Sequence, residues 1–454
     1  MQETRVLIPT GALGLGYDRA ALARGIAAKP HIIAVDGGST DSGPAYLGRA
    51  ASKYSRATTR AEWRDLMQAR AEAGVPLIIG TAGTCGADAT VDWLFDITRD
   101  LAAELGQKLT VTRLYSGQNP AEIAAAFDAG RITDLPAAPG IDADTIRACS
   151  NIVALAGAEQ VAAALATGAD IVIAGRTTDT AIIAALPIAR GCHGGAAWHG
   201  AKIGECGALA TTHPASGTIL ITFDGTGFTV DPMAPSARAT PYTVSAHMLY
   251  ENSDPFLLYE PGGVLDVTDA TYAALDDRRV RVEGSVWRPG PYTVKLEGAR
   301  IAGYQTVSLT LLRDRRYVAN ATGWAAEVAA RARADVGARM GLAADAFEIE
   351  LRLIGRDATL GPLEPPGPVP AEIGVLAIAT APSEAEAAEI GKILNPYLLH
   401  HALTEDEPMP TFAFPFSPAE MSRGALYEFC LHHVMALDDP MAPFRIVTDE
   451  VGHG

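Results

Sequence analysis

The stretch ADIVIAGRTTDTA, residues 169–181, decides the fold. Ile171, Val172, Ile173 and Ala174 make an extended run with no polar side, as expected of a strand covered on both faces. Gly175 ends the run, and Arg176, Thr177, Thr178 and Asp179 follow at once. Before it, AEQVAAALATG has helical spacing and closes at Gly168. A helix, a buried strand and a polar loop thus follow one another within about thirty residues, the length of a βαβ unit.

The same grammar recurs through the first two hundred residues. RVLIP leads to TGALGLG and the helix-like DRAALARGIA, and HIIAVD leads to GGSTDSGP. The helical stretch RAEWRDLMQARAEA stops at Gly74, and LIIG then opens into TAGTCGADA and VDWLFDITRDLAAELG. LTVTRLY leads to SGQNP and AEIAAAFDAG. Apolar strands alternating with helices predict a doubly wound α/β domain with a mostly parallel sheet over residues 1–215. Ligands of such sheets bind beyond the carboxyl ends of the strands, which is where GRTTDT falls.

From residue 216 the pattern changes to TILITFDGTGFTVDP, VRVEGSVW, YTVKLEG and YQTVSLTLL, predicting a β-rich region over 216–320. Within it, SAHMLYENSDP reads as a short helix ended by Pro255. The helix GWAAEVAARARADVGARM, the strands FEIELRLIG and VLAIAT, and the helix SEAEAAEIGKILNPYLL predict a small α+β region over 321–454. A chain of 454 residues is too long for one core, so several domains are expected.

The formal charge of −17 disfavours nucleic acid and anionic lipid as partners, because such binding depends on clustered Lys and Arg. No apolar stretch is long enough to span a bilayer, and the first residues show no secretory pattern, so a cytoplasmic protein is expected. Cys85, Cys149, Cys192, Cys206 and Cys430 are odd in number and lack CxxC spacing, which suits reduced thiols. The histidines offer no zinc-binding spacing, and no metal is expected.

Several loops carry candidate chemistry. Arg176 can clamp a carboxylate with help from Thr178, while Asp179 orients it or acts as a base; alternatively Thr178 caps a helix and Asp179 pairs with Arg176 at the surface. In DGGSTDSGP, Asp36 ends a strand, and Gly37, Gly38, Ser39 and Thr40 present amides and hydroxyls to an anion or form a simple turn. Thr81, Gly83 and Thr84 belong to the same rim, with Ser116, Gln118 and Asn119 as further donors. Cys85 is read as a buried small residue rather than a nucleophile. Glu205 lies among glycines in KIGECGALAT and can serve as acid or base, or mark a domain junction. His247 and Glu251, with Tyr250 beside them, are expected on one helical face as a structural pair. Lys295, Thr293 and Glu297 are expected on a solvated strand face. Gly11, Gly14 and Gly16 with Asp36 resemble a dinucleotide crevice, in GxxGxG rather than GxGxxG order.

With these residues in view, the chain resembles the acyclic terpene utilisation family. ADIVIAGRTTDTA, ECGALAT, LYENSDP and RVRVEG carry the resemblance. The family's Gly-Arg and Asp fall on Gly175, Arg176 and Asp179; its Glu-Cys-Gly falls on Glu205, Cys206 and Gly207. Its Leu-Tyr-Glu and Asp-Pro fall on Leu249, Tyr250, Glu251, Asp254 and Pro255. Leu209 stands where members nearer terpene catabolism have glutamine, so a terpenoid substrate is not carried over. The resemblance implies a catabolic enzyme for branched or unsaturated carboxylic acids or their thioesters, accompanied in many members by a small partner protein.

The expected activity is a cofactor-independent lyase, a hydratase or dehydratase acting on a small carboxylate or an acyl-CoA thioester. Asp36, Asp179 or Glu205 moves the proton, Arg176 holds the carboxylate, and the amides and hydroxyls of residues 37–40 and 81–84 stabilise an enolate. The alternatives are an NAD(P)-dependent oxidoreductase and a non-catalytic subunit of a heteromeric enzyme. A homo-oligomer is expected.

Overall fold

The computed structural model describes residues 3–452 and is α/β in class. It divides into two compact units, one of residues 1–300 with 429–454 and the other of residues 301–428. The strands Thr293–Leu312 and Glu420–Ala436 each contribute residues to both.

The first unit is built on a ten-stranded sheet. Its centre is parallel, in the spatial order Thr4–Ile8, Ile32–Asp36, Leu77–Gly80, Ile171–Ala174 and Leu109–Tyr115. The strand quoted at the outset therefore lies inside the sheet. Its side chains alternate between two cores: Ile171 and Ile173 pack with Leu7, Ile33, Ile79, Trp63 and Leu94, whereas Val172 and Ala174 pack with Ile8, Ile32, Ile78, Val161 and Ile183. The first core takes residues from the helices Arg19–Ala27, Arg56–Ala73 and Asp88–Leu105, the second from Ala158–Leu165, Ala181–Ala189 and Gly194–Gly204. Burial on both faces is why these strands lack a polar side. Arg56–Ala73 stops at Gly74, whose φ of +64° is the left-handed conformation expected there.

The β-rich stretch does not stand apart. Ile219–Phe223 pairs antiparallel with Thr4–Ile8, and Gly227–Pro232, Val280–Glu283 and Thr271–Ala274 extend the same sheet outward. Arg445–Val451 closes the other edge against Leu109–Tyr115, so the chain's last strand belongs to the first unit. The boundaries read at 215 and 320 thus do not separate compact units. Sheet pairing between distant segments overrides the change in local pattern.

The second unit is α+β, with Glu348–Ile354, Ile373–Ala381 and Tyr304–Leu312 as antiparallel strands. The helices Ala321–Met340 and Glu384–His400 share a core with them that includes Trp324, Val328, Ile349, Val375 and Leu394. Among the described residues, no helix is long and apolar enough to cross a membrane.

Candidate functional site

In the first unit, Leu77–Gly80 and Ile171–Ala174 are neighbours, but their following helices join different cores. Loops that leave adjacent strands toward opposite faces open a crevice at the carboxyl ends. Arg176 lies at this end of the sheet, two residues after Ile171–Ala174, and is buried. Its Nη1 donates to Thr81 Oγ1 at 3.2 Å, to the Thr177 carbonyl at 3.0 Å and to Asp179 Oδ1 at 3.3 Å. Its Nε donates to Glu297 Oε2 at 3.0 Å, and Nη2 reaches Glu297 Oε1 at 3.4 Å.

Arg176 is only 5% exposed and is tied into an internal ion pair. The guanidinium is therefore committed to Glu297, Asp179 and Thr81 rather than offered to a ligand, and the surface pairing with Asp179 is a buried one. Glu297 corrects another expectation. It shares a strand face with Lys295 as alternation requires, yet it is buried, with Lys295 Nζ at 3.0 Å and Thr40 Oγ1 donating to it at 2.8 Å. Burial opposes its ionisation, but Arg176 and Lys295 outweigh that and hold it at about 2.

The glycines of this rim serve loop-on-loop packing. A Cβ on Gly37 would lie 2.2 Å from the Thr81 carbonyl oxygen, and one on Gly86 would lie 2.2 Å from the Arg176 nitrogen. Close backbone approach is required at both places, and the partner is another loop of the protein. Thr81 and Thr84 have φ of +36° and +76°, costly for β-branched residues and sustained by this packing.

The carboxyls of Asp179 and of the groups that act on it are displaced upward. Asp36 accepts from the Gly38 amide at 2.7 Å, but burial and the nearby Asp179 push it well above the usual range. Burial also raises Asp179 against the opposing pull of Arg176. Glu205 receives Lys202 Nζ at 2.5 Å and is still pushed up by burial to about 8. Glu260 comes from the end of the strand Leu257–Glu260, accepts from the Thr180 hydroxyl, and is raised by burial to about 7. Glu205 and Glu260 are thus held near neutrality, where a carboxyl can exchange protons, and Asp36 and Asp179 are shifted in the same direction.

Thus Asp36, Thr40, Thr81, Arg176, Asp179 and Glu205 come together, while Gly37 and Gly38 pack on Thr81 and Thr84. Thr178 sits next to Asp179, and its hydroxyl accepts from the Ala181 amide at 3.2 Å, but the N-cap position of the helix Ala181–Ala189 is Thr180 rather than Thr178. Other candidates have structural roles. Ser39 Oγ donates to Asp41 at 2.7 Å and caps the turn Thr40–Ser42, Gly83 packs on Thr90, and Thr84 Oγ1 accepts from the Lys53 amide at 3.3 Å. Ser116 Oγ accepts from the Arg176 amide at 2.6 Å and donates to the Gly86 carbonyl at 3.2 Å. Gln118 donates to the Ser116 and Pro443 carbonyls, and Asn119 caps the helix Pro120–Asp128. These last two line a cleft of about 390 Å³ with Asp88 and Asn151.

Three further readings meet the structure. His247 and Glu251 do not share a helical face: the helix Pro241–Ala246 tightens over His247–Leu249, Tyr250 is extended and Glu251 has φ of +51°. His247 stacks on Tyr250 instead, at 5.3 Å. The Gly14 amide donates to Glu62 Oε2 at 2.6 Å, and Gly16 also bonds that carboxylate, so a side chain of the protein occupies amides that a dinucleotide phosphate would need. Burial raises the Cys85 thiol, consistent with a packing role.

Sequence reasoning missed Glu260 and misread Glu297. Neither belongs to a glycine-rich loop after a parallel strand, and each meets GRTTDT only through tertiary pairing. Among the described residues, no cluster of His, Cys, Asp and Glu has metal-binding geometry.

A family model described as acyclic terpene utilisation family protein AtuA matches residues 45–408. The chain belongs to this family. The family match spans Thr81, Arg176, Asp179, Glu205, Glu260 and Glu297, while Asp36 lies before it. No curated protein and no solved structure matches the chain.

Proposed function

We propose that the chain is a lyase of the hydratase or dehydratase type, acting on a small carboxylic acid or its acyl thioester. The observation that carries this reading is the gathering of Asp36 and Glu205 about Asp179, which Arg176 holds, with burial raising all three carboxyls. Such groups remove and return protons at neutral pH, the chemistry that elimination or addition of water beside a carbonyl requires.

Asp179 is the most accessible of the three, its side chain 24% exposed, and it is the group assigned to the substrate's Cα proton. Arg176 acts from behind: it steadies the Asp179 carboxylate and supplies positive charge beneath a developing enolate. The cations at this site are each paired: Arg176 with Glu297 and Asp179, Lys202 with Glu205, and Lys295 with Glu297. Coenzyme A enters this scheme only as part of a thioester substrate. The pattern of reduced thiols supports a cytoplasmic setting.

The test is a screen of the purified chain against unsaturated and hydroxy acids and their thioesters. Hydration or dehydration is expected, and Asp179→Asn should lower kcat about 10²-fold or more. Absence of turnover across the panel, or an Asp179→Asn enzyme as fast as the parent, would overturn the proposal.

A further inference from the structure

Glu260 is placed in the crevice by contacts that leave half of its carboxyl unused. Oε1 accepts from the Thr180 hydroxyl, which in turn lies 3.0 Å from the Thr178 hydroxyl. Both threonines flank Asp179, so Glu260 is fixed beside it. Oε2 is buried and, among the described residues, no donor meets it in hydrogen-bond geometry, although the Thr178 hydroxyl is near enough to the carboxyl to favour its anion. The residue as a whole is 9% exposed. A buried carboxyl oxygen without a partner demands explanation, and in an acid–base crevice a ligand hydroxyl supplies one.

We propose that Glu260 is the proton donor of this site, held by Thr180 next to Asp179 and delivering its proton to the hydroxyl that leaves the substrate. The inference rests on the lyase reading and adds to it that the substrate is a hydroxy acid or hydroxyacyl thioester whose hydroxyl reaches Oε2. In the dehydration direction Asp179 takes the Cα proton, and the electron pair of that C–H bond becomes the new C=C bond. The C–O bond breaks with its electron pair on oxygen, and the Glu260 proton completes the departing water. Hydration runs the same steps backwards, with Glu260 as base toward water.

The groups acting on Glu260 are Asp179 and the two threonines from the loop, Lys202 and Glu205 from around the helix Gly194–Gly204, and Tyr292. Burial and Asp179 favour its neutral form, Lys202 and the threonine hydroxyls its anion, and the balance falls at about 7. Both protonation states are therefore populated at neutral pH, as a group that donates and recovers a proton in each cycle requires.

The experiment compares pH profiles of kcat for dehydration in the parent chain, Glu260→Gln and Thr180→Val. The parent is expected to lose activity as pH rises through about 7, and Glu260→Gln to lose that limb along with about 10²-fold in kcat. Thr180→Val should move the limb upward, because the lost hydroxyl had favoured the carboxylate; it also carries the test if Glu260→Gln does not fold. Retention of the limb and the rate in Glu260→Gln, with Asp179→Asn still impaired, would overturn the role of Glu260 and leave the lyase reading standing. An infrared titration of the carboxyl stretch, parent minus Glu260→Gln, needs no turnover. A carboxyl titrating near neutrality supports the assignment, whereas one titrating in the ordinary glutamate range overturns it even if no compound is turned over.

Discussion

Arg176 and Glu297 are 121 positions apart in the chain, and each makes the other's burial tolerable. Taking a charge out of water costs several kcal/mol, and their attraction repays this only while both remain. Glu297→Gln should therefore destabilise the fold by about 3–5 kcal/mol, measured by denaturant unfolding, because it removes the buried anion that the Arg176 guanidinium meets through two hydrogen bonds. Replacing both residues together by apolar side chains of similar volume should cost much less. Arg176 was legible as a residue of the crevice from its place after a buried strand. Its partner was not, because the alternation in YTVKLEG reads equally well as a wet face, and only the structure shows Glu297 covered.

At the scale of elements, the crevice is a set of loops that lock into one another. Gly37 against Thr81 and Gly86 against Arg176 are positions where one backbone rests on the next, with no volume for a methyl group. Gly37→Ala should force the Asp36–Thr40 loop away from Thr81, costing about 1–3 kcal/mol by the measure of overpacked sites. It should also lower turnover by displacing Asp36; a thermal melt alongside kcat separates the two effects. The glycine-rich loops could be found in the sequence because parallel strands end in recognisable apolar-to-polar steps. Their purpose could not, since a glycine that admits a ligand and one that admits a neighbouring loop look alike. The short turn at His247–Leu249 was hidden for a related reason: four-residue spacing implies a shared face only if the helix persists.

Across the whole molecule, the central parallel strands and most helices were visible from the sequence because continuous apolar runs and 3.6-residue patterns are enforced by two-sided burial. The division into units was not, because Arg445–Val451 returns to the first sheet from the far end of the chain, and no local pattern records such a pairing. The buried carboxyls also set how global stability depends on pH. Glu205 rises from an ordinary 4.5 to about 8 on folding, so its neutral form stabilises the native state fully below about 4.5, and that contribution is lost as pH rises through 8. Glu297 has the opposite sign: held at about 2, it stabilises above its ordinary 4.5 and loses that contribution as pH falls toward 2. Melting temperature should thus decline between pH 5 and 8, and Glu205→Gln should flatten that decline relative to the parent chain.

The pairing of Arg176 with Glu297 also constrains descent. A lineage that altered either residue alone would carry the cost of a buried charge without its partner, so the two codons are expected to change jointly. Two distant points in the gene are in effect one heritable character.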